Sequence, residues 1–173
     1  MPKVELQISP LPVNVRTARL VAAALSRRIG LDAVVIDEVK LAVGEACSRA
    51  VAVHRSSGVD EPIVVQFRDD YDMLEIRVLD SGPAGALLPT SGEGTGQGAD
   101  ANDAVAEEAA QLLEAATSSA QEPANVERAV DVASLAPRLG LAMIAGLVDD
   151  MSVEDRAEPR GTVVTMRWPL VMS

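Results

Sequence analysis

The sequence predicts a two-layer α+β fold, with a mixed but mostly antiparallel sheet and its helices on one face. Three observations predict it. Segments with apolar residues at every second position open the chain and return in pairs further on. Two long stripes with apolar residues three and four apart follow the first such segment. Gly, Pro and Asp clusters punctuate the boundaries. The resulting order is β-α-α-β-β-insert-α-β-β, and packing helices on one side of a single sheet is the simplest way to bury those stripes.

The elements follow in order. Val4, Leu6 and Ile8 alternate with Lys3, Glu5, Gln7 and Ser9, a half-buried strand that Pro10 and Pro12 end. Val15, Ala18, Ala22, Leu25 and Ile29 form a helical stripe; Arg27 and Arg28 suit its negative end, and Gly30 suits its stop. Asp32 caps a second helix, whose stripe is Ile36, Val39, Val43, Ala46, Ala50 and Val53, reaching about His54. Ile63 to Arg68 and Met73 to Leu79 read as a hairpin turning through Asp69, Asp70, Tyr71 and Asp72. A helix is expected over Leu139 to Asp150, then strands over Met151 to Asp155 and Thr162 to Trp168. Residues 84–133 differ in character. Glycines at 92, 94, 96 and 98 give linker-like composition, and Asp103 to Ala116 is Ala- and Glu-rich with helical character. The expectation is one domain over 1–173 with an acidic lid insert at 84–133.

At 173 residues, 48% of them hydrophobic but only 2% aromatic, the core must be built from Val, Leu, Ile, Ala and Met. The formal net charge of −11 argues against direct nucleic-acid binding, which needs a basic face, and makes a basic protein partner the easier expectation. The single Cys47 permits no internal disulfide and no Cys-rich zinc site. Without an apolar run of about 18 residues or a signal-peptide core, no membrane association and a cytoplasmic location are expected.

Four segments carry candidate chemistry. Val78-Leu79-Asp80-Ser81-Gly82-Pro83 runs an apolar strand into an Asp-x-Gly turn. By composition alone this is an ordinary strand end. Glu45 and Arg49 lie one helical turn apart, the spacing of a plain helix ion pair. Arg138-Leu139-Gly140-Leu141-Ala142-Met143-Ile144 reads as a glycine at a helix start, and Gly161-Thr162 opens a late strand. His54 is read as a surface or capping residue with no catalytic role.

In that order and spacing these segments resemble the ATP-binding domain of the histidine-kinase-like ATPases, and most of all the anti-sigma-factor serine kinases of bacterial partner switching. The resemblance covers nearly all of the chain outside the insert. It implies that Glu45 is the base activating the attacking hydroxyl, and that position 49 faces the magnesium ion. It also implies that Asp80 and Gly82 receive adenine, that Gly140 belongs to the phosphate loop, and that the Thr162 hydroxyl assists adenine binding. The sequence departs from the pattern at three places. Arg49 replaces the magnesium-binding Asn, Arg138 replaces the first loop Gly, and Gly85 falls one residue late. Arginine carries five donors and no acceptor, so the magnesium site is expected to be lost and ATP handling weakened. The resemblance implies a sigma factor and a STAS-type anti-anti-sigma factor as partners, with a possible homodimer. Three readings stand: an anti-sigma factor with weak or lost kinase activity, an active serine/threonine kinase acting on the antagonist, and a dimeric scaffold with no sigma partner.

Overall fold

The computed structural model describes residues 3–70, 72–83, 140, 143–156 and 159–170. The insert 84–133 lies outside them, as do Gly85 and Arg138. Seven elements are described: β1 (Lys3–Ile8), α1 (Pro12–Arg28), α2 (Ala33–Ser57), β2 (Ile63–Asp70), β3 (Met73–Leu79), β4 (Asp150–Arg156) and β5 (Gly161–Pro169). The five strands form one sheet in the order β1-β2-β3-β5-β4. All four pairings among them are antiparallel, so the expected mixed character is not seen in the described strands. No described helix is long and apolar enough to cross a membrane.

Local chemistry explains where the helices start and stop. Pro12 sits at the beginning of α1, where its missing N–H costs nothing. Gly30 follows it at φ 85°, a conformation that favours glycine. Asp32 caps α2, accepting from the backbone N–H groups of Val34 and Val35 at 2.8 and 3.0 Å. At the far end Gly58 adopts a left-handed conformation and donates to the His54 carbonyl, one helical turn past the expected end of the stripe.

The core forms between α1, α2 and one face of the sheet. Every apolar position predicted for the α2 stripe is buried. Ala18 and Ala22 of α1 are fully buried, and Val15, Leu25 and Ile29 pack against the same cluster. Ile63, Val65 and Phe67 of β2 alternate into it, as do Leu74, Ile76 and Val78 of β3. The opposite face is polar: Glu75 pairs with Arg167, which also pairs with Asp150.

Two expectations change. The hairpin is tighter than the four-residue turn, because Arg68↔Glu75, Asp69↔Leu74 and Asp70↔Met73 extend the ladder and bring Leu74 into the core. The helix expected over Leu139 to Asp150 is shorter. Gly140 and Met143 to Ala145 are helical, and the Leu147 N–H then closes a turn on the Ile144 carbonyl at 2.8 Å. Trp168 Nε1 donates to the Leu147 carbonyl, the Asp149 N–H donates to Arg167, and Asp150 joins β4 through its ion pair with Arg167. Sheet pairing and a buried indole thus outcompete helix continuation.

Cys47 is fully buried on α2, and burial pushes its thiol up to about 12. The folded chain therefore holds its proton where the unfolded chain has released it. Stability should fall above pH 9 by about 1.4 kcal/mol per unit from this group. Denaturation curves of wild type and Cys47→Ala between pH 8 and 10 check this: the difference between them should shrink with rising pH, and a constant difference would contradict it.

Candidate functional site

The site is built where α2 crosses the end of β3 and the start of β5. β3 delivers Asp80 just past its last residue, and the antiparallel β3–β5 ladder places Thr162 beside it. The Asp80 N–H donates to the Thr162 carbonyl at 3.0 Å. Asp80 Oδ1 accepts from the backbone N–H of Gly82 at 3.0 Å and of Thr162 at 3.3 Å. Its second oxygen, Oδ2, accepts from Arg49 Nη1 at 2.7 Å. Both side chains of this ion pair are only 1% exposed. Arg49 therefore does not form the simple helix pair with Glu45; its charge is matched across 31 residues of sequence.

A second tie joins α2 to the same turn. His54 Nε2 accepts from the Ser81 N–H at 2.8 Å, so its proton sits on Nδ1. His54 is fully buried, which corrects its reading as a surface or capping residue. No clear sequence signal marks it, because a histidine near a helix end is usually solvated and its partner is a backbone group 27 residues away.

Glycine serves close packing here. A Cβ at Gly82 would lie 2.1 Å from Val53 Cγ1, so Val53 of α2 fills the space over the turn. A Cβ at Gly161 would lie 1.8 Å from the Asp80 carbonyl oxygen, so only glycine lets β5 start against this turn. Gly140 faces Glu45, whose Oε2 lies 3.3 Å from where a Cβ would stand. The structure thus gathers Glu45, Arg49, Asp80, Gly82, Gly140 and Thr162, whereas Gly85 and Arg138 lie outside the described residues.

Several polar atoms in this cluster are buried without a partner among the described residues: Arg49 Nε and Nη2, His54 Nδ1 and Thr162 Oγ1. Each such group costs about 1–3 kcal/mol if nothing satisfies it. The site is rich in donors. A magnesium ion needs oxygen acceptors, and Arg49 supplies none where a ligand oxygen is expected. Asp80 Oδ2 already holds a guanidinium. Arg49 thus offers donors and no magnesium ligand at its position, and the Asp80 carboxylate is engaged from within the protein.

A second feature lies between the helices. A groove of about 450 Å³ is lined by Val15, Arg16, Arg19, Ser48, Val51 and Arg55, among others. None of the three arginines meets a carboxylate among the described residues. α1 carries four arginines and no acidic residue.

The sequence pattern of the histidine kinase-like ATPase domain matches residues 8–168. The chain belongs to that family. Over 81 residues it is 36% identical to the serine-protein kinase RsbW of Bacillus pumilus, a stretch covering 46% of this chain and 50% of that protein. It is 32% identical over 80 residues to the RsbW of Listeria innocua, covering 46% and 51%. The chain spans about half the length of these curated relatives. A crystal structure of the RsbU and RsbW domains of a Mycobacterium tuberculosis protein superposes with a TM-score of 0.56, covering 96% of this chain and 32% of that one at 18% identity. That likeness is one of fold, and it agrees with the five-stranded antiparallel sheet and its helices.

The Arg49–Asp80 pair has a defined energetic signature. Removing one member leaves the other charge buried and unpaired, which costs about 3–5 kcal/mol. Arg49→Met and Asp80→Ala should each lose that much in urea unfolding followed by Trp168 fluorescence. The double variant should lose about 1–3 kcal/mol less than their sum. Strict additivity would mean that the pair is not formed.

Proposed function

We propose that the chain is an anti-sigma factor that sequesters a sigma factor, is released by a STAS-type anti-anti-sigma protein, and has weak or lost ATP-dependent kinase activity. The similarity to RsbW serine-protein kinases supports the partner-switching part. The observation that carries the weakened chemistry is Arg49 Nη1 at 2.7 Å from Asp80 Oδ2. An incoming adenine amino group must compete with an internal, charge-assisted donor. Magnesium must approach a fixed positive charge rather than an amide oxygen. Regulation then rests on competition between protein partners.

Partner binding has a candidate surface in the arginine-lined groove between α1 and α2. Net charge suggested a basic partner, yet this groove suits an acidic segment with an apolar side chain. Much of the excess negative charge is in the sequence of the insert, outside the described residues. The alternative is an active serine/threonine kinase. It is favoured by one feature, the carboxylate of Glu45 kept close to Gly140.

Calorimetric titration with ATP, in magnesium and in EDTA, separates these readings. The expected result is no saturable binding at millimolar ATP, together with near-stoichiometric retention of a sigma factor by the tagged chain in lysate of the source cell. Magnesium-dependent ATP binding with phosphate transfer to a STAS-domain protein would overturn the weak-kinase part. Absence of any retained sigma factor would overturn the anti-sigma part.

A further inference from the structure

Gly44 is a buried glycine in the interior of α2, next to Glu45, where helix propensity alone would place another residue. Its surroundings explain it. A Cβ at this position would stand 3.0 Å from Arg19 Cδ and 3.3 Å from both Cγ and Nε of the same side chain. The Arg19 stem therefore lies flat across α2 at Gly44. Arg19 also lines the groove with Arg16, Arg55 and Ser48 over a floor that includes Val15 and Val51. The missing side chain and the basic groove are two ends of one arginine.

We propose that Gly44 is a positioning residue for this groove: it seats the Arg19 stem so that the guanidinium stays at the groove wall to receive an acidic, apolar-containing segment of a protein partner. Charge selects the occupant. Three arginines without carboxylate partners among the described residues surround apolar side chains, so a segment bearing both Glu or Asp and an aliphatic residue matches the lining. The methyl group added by Gly44→Ala would press on the Cγ, Cδ and Nε atoms of a flexible side chain and on no backbone atom of α1. The inference rests on the reading of the groove as partner-facing.

The two consequences of Gly44→Ala have opposite sign, which separates positioning from a merely structural role. In the full chain, Tm should hold or rise by roughly 2–4 °C, as expected when an interior helix glycine becomes alanine. Binding of a fluorescein-labelled Glu/Leu peptide should weaken roughly threefold to tenfold, the scale of one misplaced charge-assisted contact. In an Arg19→Ala background, Gly44→Ala should change that affinity no further. A Lys/Leu peptide should not bind. Unchanged affinity in Gly44→Ala, equal binding of the Lys/Leu peptide, or no binding of the Glu/Leu peptide to wild type would each overturn the inference. If sigma-factor retention survives while the peptide result fails, the anti-sigma reading stands and only the role of Gly44 falls.

Discussion

One buried ion pair organises this molecule. Arg49 and Asp80 are each almost wholly removed from water, and neither charge is tolerable there without the other. The carboxylate is satisfied on all sides, by the guanidinium on Oδ2 and by two backbone N–H groups on Oδ1. The guanidinium is not satisfied in this way. That asymmetry leaves two guanidinium nitrogens of the pair, Nε and Nη2, with no partner among the described residues. A core built only for stability would favour apolar residues at both positions.

The pair works with its surroundings. α2 holds the turn after β3 at two points, Arg49 on the Asp80 side chain and His54 on the Ser81 backbone. Val53 closes the space above Gly82, and Gly161 lets β5 start in contact with the Asp80 carbonyl. Side chains of the protein itself thus engage groups that the family resemblance assigns to a nucleotide. On the same helix, Gly44 lies one residue from Glu45 and packs against Arg19 of the groove. A single helix therefore carries both the tie to Asp80 and one wall of the basic groove.

Much of this was legible in the sequence, and the reasons are local. Asp32 as a cap, Gly30 as a stop, the α2 stripe and the bounds of β3 all follow from neighbouring residues, and the structure bears them out. So did the two-layer α+β architecture, because two helical stripes and paired alternating strands have few ways to share a core. Long-range partners were harder to read. Spacing alone reads Arg49 as half of a helix pair because Glu45 stands one turn away, and only the resemblance turns it toward a pocket; its partner is 31 positions on. His54 looked solvated because helix ends usually are. The last helix was overextended because apolar residues continue through Val148, whereas Trp168 and Arg167 draw the following segment into the sheet. In each case a tertiary contact overruled a local preference.

The most direct measurement of the central claim is a side-chain nitrogen NMR spectrum of Arg49 in the full-length chain, recorded with and without magnesium-ATP. A guanidinium locked on Asp80 gives separate, slowly exchanging Nη resonances that ATP leaves in place and that collapse in Asp80→Ala. Averaged Nη signals in the free protein, or signals that move saturably as magnesium-ATP is added, would show that the cleft is open to nucleotide and would contradict the account.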